Sequence, residues 1–326
     1  MAENLPRASI VVPTINRPEN LKVLLSDILN QNYENFECIV VDDGSSQKNK
    51  DIYHEIFKSI DLRFKYLEIQ HNINAGPSRA RNFGIRMASG HFVAFCDDDD
   101  RWVRSDHLQV AVDTLENYDG DLYFAAMKYS ENLNDNFLYT PAMKYLTENK
   151  ISENLYKVSL KNMSEFLSLR TLHCDTIVAT KKLLFDSGLY FEKLKVAEDR
   201  EFSYRLVDCS SRIFFRSEVC AELNISPHDS IFRTTEIIDQ YLFAYQASIR
   251  ANFFVKKPLI KKTARKTAAW DMVQTAEIFM EKCDWERVNF ALRQSFLTHP
   301  SYYCVKLWLK AIIQKYKTNT KIAHDN

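Results

Sequence analysis

The stretch His91 to Asp100, HFVAFCDDDD, is an apolar run that stops at four consecutive carboxylates. Phe92 to Cys96 reads as a buried strand, a short apolar segment bounded by polar residues. Four adjacent like charges repel one another, so a fold that keeps them ionised needs a compensating cation. If strand geometry continues, Asp97 and Asp99 point to one face and Asp98 and Asp100 to the other. Hard divalent cations such as Mg²⁺ and Mn²⁺ take oxygen ligands of this kind and leave other positions to water and substrate phosphates. A solvated acidic turn is the competing reading of the same residues.

Upstream, the pattern of strand followed by polar cluster recurs. Ala8 to Val12 is a β-branched run ending at Pro13-Thr14, and Leu21, Leu24, Leu25, Ile28 and Leu29 then fall at helical spacing. Phe36 to Val41 repeats the strand and stops at Asp42-Asp43-Gly44-Ser45. A helix over Lys48 to Lys58 and a strand over Phe64 to Ile69 lead into HNINAGPSRARN, where Gly76-Pro77 opens a helix bearing Arg79 and Arg81. A helix N-terminus with two arginines suits a phosphate; an ordinary capped helix with solvated arginines is the alternative. Strands alternating with helices imply βαβ units and a mainly parallel sheet. Pro13-Thr14, Asp42-Asp43, His71 to Arg81 and Asp97 to Asp100 all follow the carboxyl end of a strand, where open α/β sheets collect ligands.

Downstream, a helix is expected over Trp102 to Asn117 and a strand over Asp121 to Met127, while Asn132 to Lys161 shows no clear period. Thr171 to Thr180 reads as a strand and Lys181 to Ser187 as a short helix ended by Gly188. In VAEDREFSYRLV, Phe202 and Leu206 share a helical face with Glu198 and Asp199 at its N-terminal end, placed either for chemistry or as a cap. A strand over Cys220 to Ile225 precedes SPHDSIFR, whose His228 sits in a polar loop. Beyond Thr234 four helices are expected, Glu236 to Val255, Ala264 to Lys282, Glu286 to Thr298 and Tyr302 to Lys317, with Pro258 and Pro300 as breaks. A basic run, Lys256 to Lys266, borders this extension. On the last helix Tyr302, Val305, Leu309, Ile312 and Tyr316 recur at three and four residues beside Lys306, Lys310 and Lys315. Such a helix lies on an anionic membrane or packs on the catalytic domain; the pattern fits both.

The 43 basic and 43 acidic side chains cancel, which gives no global argument for a nucleic-acid partner. The seven cysteines include no CxxC pair, so they read as reduced thiols without a zinc site or disulfide framework. No leader pattern and no apolar run of roughly 18 residues is visible, so the expected location is cytoplasmic.

With these residues in view the chain resembles the GT-A-fold glycosyltransferases of family 2. SIVVPTINRPENLKVLLSDILNQNYENFECIVVDDGS is similar to the family's nucleotide-binding start, NINAGPSRARNFGI to its middle signature, HFVAFCDDDDRW to its DXD motif and AEDREFSYRL to its ED motif. The resemblance implies a Rossmann-like α/β fold with a mainly parallel central sheet and flanking helices. It divides the chain into a catalytic domain over 1–233, with a nucleotide-sugar half (1–102) and an acceptor half (103–233), and a helical extension over 234–326. It implies that Pro13, Thr14, Asp42, Asp43, Gly76, Arg79, Arg81, Asp97 and Asp98 surround a nucleotide-diphosphate sugar, a UDP-sugar first among the candidates. Asp99 holds Mn²⁺ or Mg²⁺, His228 is a metal or phosphate contact, and Asp199, beside Glu198, is the catalytic base. The acceptor it implies is a saccharide or lipid-linked hydroxyl in surface polysaccharide or lipopolysaccharide synthesis, with peripheral contact of the C-terminal helices at the inner membrane face. The stretch after Trp102 departs from the family pattern, and the QxxRW motif of processive members is absent, which implies limited addition of hexosyl or N-acetylhexosaminyl units. Two other classes fit less well. A nucleotidyltransferase should carry an early glycine-rich loop, yet no glycine precedes Gly44. A silent nucleotide- or carbohydrate-binding module would keep the crevice and lack a working base.

Overall fold

The computed structural model describes residues 6–69, 76–130, 139, 142–194, 196–224 and 234–324, with side chains in the last helix up to 316. The chain divides into two compact units, Met1–Pro227 and His228–Asn326.

The first unit is built on strands β1 (Ala8–Thr14), β2 (Phe36–Asp42), β3 (Phe64–Glu68), β4 (Phe92–Phe95), β5 (Arg101–Trp102), β6 (Leu122–Tyr129), β7 (Lys150–Ser152), β8 (Leu155–Val158), β9 (Ile177–Thr180) and β10 (Ile213–Leu223). They form one sheet in the order β3-β2-β1-β4-β9-β6-β10-β8-β7, with β5 on β10. The neighbouring strands β3, β2, β1 and β4 are all parallel. Every residue of β1 and β2 is buried, so helices cover both faces and the strands read as continuous runs without alternation. These helices are α1 (Pro18–Leu29), α2 (Gln47–Ser59) and α3 (Pro77–Met87), followed by α4 (His107–Asn117), α5 (Met143–Leu146), α6 (Leu160–Leu167), α7 (Lys181–Asp186) and α8 (Glu198–Cys209). Leu21, Leu24, Leu25 and Ile28 of α1 enter one core cluster with Ile10, Val12, Val40 and Phe92 from the sheet.

The sequence pattern misses features that depend on distant pairing. Arg101–Trp102 is a strand on β10, and the helix expected from Trp102 begins only at His107. The stretch expected to be irregular contains α5, β7 and β8, with α6 beginning at its end. The first part of Thr171 to Thr180 is a 3₁₀ turn at Cys174–Thr176, and only Ile177–Thr180 is strand, inserted antiparallel between β4 and β6. Strand β10 begins at Ile213, well ahead of Cys220, and its irregular register past Arg216 hides the period from view.

The second unit comprises helices α9 (Ile237–Phe254), α10 (Pro258–Glu281), α11 (Trp285–Thr298) and α12 (Tyr302–His324). Pro258 opens α10, where a missing N–H costs nothing, so the helix starts earlier than Ala264. Cys304, Leu307 and Ala311 of α12 join Met272, Ala276, Val288 and Leu292 in a separate core. The other apolar face of α12, Tyr302, Val305, Leu309, Ile312, Ile313 and Tyr316, is exposed.

Helix α3 lies close against the centre of the sheet. A Cβ at Gly84 would collide with the Cγ atoms of Val11, a residue with no exposure. Gly84→Ala should therefore destabilise the first unit by about 1–3 kcal/mol, the cost of overpacking, although alanine is the better helix former by about 1 kcal/mol. Urea unfolding reads the sign directly.

Candidate active site

The carboxyl ends of β1, β2 and β4 converge. Beyond Phe95 the backbone leaves the strand, and Asp100 N–H bonds back to the Asp97 carbonyl at 3.1 Å. The alternation expected for Asp97 to Asp100 is therefore lost, and each carboxylate meets a different partner. Thr14 Oγ1 donates to Asp98 Oδ2 at 2.7 Å. Arg17 Nη1 donates to Asp98 Oδ1 at 3.1 Å and to Asp99 Oδ2 at 2.6 Å. Arg81 Nη2 reaches both oxygens of Asp97 at 2.7 Å. The backbone N–H of Asn224 donates to Asp100 Oδ1 at 2.8 Å.

The second cluster is braced internally. Asp42 Oδ1 accepts from the backbone N–H of Ser45 at 2.9 Å and its hydroxyl at 2.6 Å, and Oδ2 accepts from the Tyr66 hydroxyl at 2.8 Å. Asp42 thus stabilises the turn after β2 and has no exposure. Asp43 Oδ2 accepts from Gly76 N–H at 2.7 Å. Gly76 has φ +93° just before Pro77, a conformation that a side chain would strain. Pro13 holds its place in β1 opposite Val41. Asn16, Gly44, Ser45, Ser46, Gln47 and Lys50 line a recess of about 470 Å³ at the start of α2.

The two arginines of the middle motif part company. Arg81 is 2% exposed; besides Asp97 it meets Glu198 Oε1 at 3.4 Å, and its guanidinium lies 5.3 Å from the centre of the Tyr190 ring. One guanidinium thereby joins α3, the end of β4 and the start of α8. Arg79 is half-buried and forms no ion pair among the described residues. Glu198 and Asp199 occupy the first turn of α8, after Ala197 in the left-handed region at φ 63°.

Burial and the charge of Asp99 push the Asp98 carboxyl up to about 7, against the pull of Arg17. Asp99 is raised by burial and by Asp97, again against Arg17. Asp100 is raised well above its usual range by burial and by the carboxylate of Asp175. Burial also opposes ionisation of Asp97, but the Arg81 guanidinium outweighs it and holds that carboxyl low. Asp199 is pushed up to about 7 by burial and by Glu198, with Arg81 and His173 opposing. The carboxylates of Asp97, Asp100 and Asp175 place oxygens within 4.8 Å of one another. Asp175 Oδ1 there is engaged by the Asp97 amide and Asp97 by Arg81, and Asp99 is not in this group. The raised hard oxygen donors left to suit a divalent cation are those of the run itself, Asp98 to Asp100.

Sequence reasoning missed Arg17 and the triplet His173-Cys174-Asp175. The first signal was an arginine directly after the β1 cluster; the second was three chemistry-bearing residues interrupting an otherwise strand-like run. His228 lies outside the described residues, as do residues 72–75 of the middle motif.

A profile described as glycosyl transferase family 2 matches residues 9–181. The chain belongs to this family. Glycosyltransferase GlyA of Streptococcus pneumoniae is 29% identical over 216 residues, 64% of this chain and 29% of its own length. The GalNAc(5)-diNAcBac-PP-undecaprenol beta-1,3-glucosyltransferase of Campylobacter jejuni is 41% identical over 96 residues, 29% of this chain and 30% of its own. The poly(ribitol-phosphate) beta-N-acetylglucosaminyltransferase TarS of Staphylococcus aureus is 27% identical over 213 residues, 64% of this chain and 34% of its own. The chain thus spans only 29% to 34% of the length of these relatives. Among solved structures, S. aureus TarS 1–349 in complex with UDP-GlcNAc superposes with a TM-score of 0.67 at 20% identity, covering 90% of this chain and 82% of that one. The Pyrobaculum calidifontis mannosyltransferase PcManGT in complex with GDP-Man and Mn²⁺ gives 0.61 at 18% identity, covering 95% and 80%. At these identities the likeness shows the fold, which is GT-A.

The contrast between the two arginines is measurable. Arg81→Met should cost about 3–5 kcal/mol, because it removes a buried guanidinium and leaves partly buried carboxylates without their counter-ion. Arg79→Met should stay within about 0.5 kcal/mol. Chemical denaturation of both variants tests the difference, and equal losses would contradict the assignment of the buried cation.

Proposed function

We propose that the first unit transfers a sugar from a nucleotide-diphosphate donor, a UDP-sugar first among the candidates, to a hydroxyl of a saccharide or lipid-linked acceptor. The observation that carries the reading is the convergence of Thr14, Arg17, Arg81 and Asp97 to Asp100 with Asp199 nearby, two charged clusters bridged by one buried guanidinium. The recess beside Asn16 and Ser45 has a volume within the range of small-molecule sites and suits a nucleoside. In this reading Thr14, Asp43, Gly76 and Asp98 shape the nucleotide side, while Arg79 and Arg17 are cations close to the diphosphate.

Asp99, with its neighbours in the acidic run, would hold Mn²⁺ or Mg²⁺. Such a cation supplies Lewis-acid neutralisation of the leaving diphosphate. Arg17 Nη1 lies on Asp99 at 2.6 Å, so a guanidinium stands beside the place where the diphosphate would meet the acidic run. Asp199 takes the proton of the acceptor hydroxyl. An environment that lifts its carboxyl to about 7 makes it a stronger base near neutral pH than a solvated aspartate. Attack from the side opposite the leaving group displaces it directly and inverts the anomeric carbon. Glu198 stays with Arg81 and raises the basicity of its neighbour. Asp42, closed by Ser45 and Tyr66, shapes the nucleotide turn from behind.

Slow donor hydrolysis and transfer should require Mn²⁺ or Mg²⁺ and disappear with chelator or in Asp99→Ala. Asp199→Asn should bind donor normally and lose at least about 100-fold in transfer. Because the base must be ionised, kcat/KM should rise with pH through about 7, an acid limb that persists in Asp98→Asn. Donor binding with full activity in Asp199→Asn would exclude this base, and full activity in chelator would exclude the metal.

For the acceptor side we infer a lipid-linked saccharide at a membrane surface. No helix among the described residues is long and apolar enough to cross a membrane. Residues 228–326 carry sixteen basic against nine acidic side chains, +7 in a chain of zero net charge. Residues 301–324 contain no acid, and Lys306 and Lys310 border the exposed stripe of α12. Apolar burial plus lysine attraction is the combination that holds an interfacial helix on anionic lipid. The chain should co-sediment with phosphatidylglycerol-containing vesicles, weakly with phosphatidylcholine alone, and lose binding in Leu309→Glu/Ile313→Glu.

A further inference from the structure

The 3₁₀ turn Cys174–Thr176 carries chemistry that none of the four motifs accounts for. Asp175 has no exposure, and it holds the acidic run from both ends. Its Oδ1 accepts the backbone N–H of Asp97 at 2.9 Å, and its carbonyl accepts Trp102 Nε1 at 2.9 Å. The need is local: Cys96 N–H still bonds to Val11 of β1, but Asp97 has left the strand and its amide requires another acceptor. Cys174 reinforces the contact, its Sγ lying 3.4 Å from Asp97 Oδ2 and 3.3 Å from Asp175 Oδ1. Asp175 Oδ2 has no hydrogen-bond partner among the described residues and lies 3.6 Å from His173 Nδ1.

The same turn is tied to the helix that carries Asp199. Leu172 N–H donates to Ser203 Oγ at 3.2 Å, and that hydroxyl donates to the Asp199 carbonyl at 2.6 Å. His173 N–H donates to the Tyr139 hydroxyl at 3.1 Å, which anchors the turn from a third direction. The segment therefore links the start of the acidic run to the first turn of α8 through three backbone-directed hydrogen bonds.

We propose that Asp175 is a positioning residue for donor binding: through Oδ1 it fixes the amide of Asp97 and so the place of the carboxylates that follow. The role rests on the donor-site reading given above. It depends on an acceptor atom, so asparagine preserves it and alanine removes it. Supporting groups of this kind change ligand affinity by about 10- to 100-fold when lost.

The test compares full-length wild type, Asp175→Ala and Asp175→Asn by two measurements. Hydrogen exchange of the ligand-free chain over 93–101 should quicken in Asp175→Ala and stay slow in Asp175→Asn. Calorimetric titration with UDP or GDP in Mn²⁺ should show affinity reduced about 10- to 100-fold in Asp175→Ala and within about twofold of wild type in Asp175→Asn. Asp175→Ser, too short to reach the amide, replaces the alanine chain if that chain does not fold. Equal weakening by asparagine overturns the hydrogen-bond role in favour of charge. Faster exchange with unchanged affinity reduces Asp175 to a structural residue and overturns the proposal. A wild type that binds neither nucleotide overturns the donor-site reading and the role with it, whereas equal binding by all chains overturns the role alone.

Discussion

A guanidinium withdrawn from water must keep its counter-ions, and Arg81 keeps Asp97 through both carboxylate oxygens while reaching Glu198. Removing one partner of such a pair strands the other in a medium that solvates it poorly. The arrangement therefore makes three segments interdependent: the helix after the middle motif, the end of β4 and the first turn of α8. It also explains the tight seat of α3, because Gly84 lets that helix approach β1 closely enough for its next-door arginine to reach the strand end. The position of the acidic run relative to Asp199 is thus set by packing and charge together.

Electrostatics around this bridge are unbalanced. Arg17, Arg81 and the neighbouring His173 are outnumbered by Asp97 to Asp100, Asp175, Glu198 and Asp199, and the deficit appears as raised carboxyls at Asp98, Asp99, Asp100 and Asp199. A purely structural cluster gains nothing from such a deficit, since each raised carboxyl is a cost to folding with the group ionised. In the donor-site reading proposed above, a divalent cation would neutralise the acids and a phosphate would occupy the arginine. Arg17 is placed for that exchange, with Nη1 on both Asp98 and Asp99 and its side chain one quarter exposed.

The N-terminal part of the sheet was legible because its signals are local. Strands β1, β2 and β4 are largely apolar, buried runs, each ended by its own polar cluster, and the rule that such ends share a crevice brings Thr14, Asp43 and Asp98 together without coordinates. What stayed hidden depends on contacts far apart in sequence. Strand β9 pairs with β4 and β6, β5 pairs with β10, and neither partner can be inferred from the strand itself. The choice between Arg79 and Arg81 required knowing which face of α3 looks inward. Asp175 was concealed inside a run whose flanking valine and threonines resemble strand, although a histidine, a cysteine and an aspartate in succession were visible there. On α12 the period was plain, but two apolar faces share the helix, and only packing tells which one is covered.

Local strain completes the picture. Ala197 sits at φ 63° immediately before Glu198 and Asp199, where an L-residue with a Cβ costs roughly 1–2 kcal/mol relative to its preferred conformations. Its hydrogen-bonding reward is small, since the N-cap makes no side-chain bond to the helix. The conformation persists because the surroundings over-determine it: Arg81 pulls Glu198 to one side, and Ser203 holds the Asp199 carbonyl while tying Leu172 to the same turn. Of the two adjacent carboxylates, Glu198 meets Arg81 at 3.4 Å, whereas Asp199 makes no ion pair among the described residues and is held above its usual range by burial and by Glu198. One is spent on the buried cation, and the other is left in an environment that makes it basic at neutral pH. A relaxed helix start would let both compete for Arg81, and a carboxylate paired with Arg81 is held low, as Asp97 is.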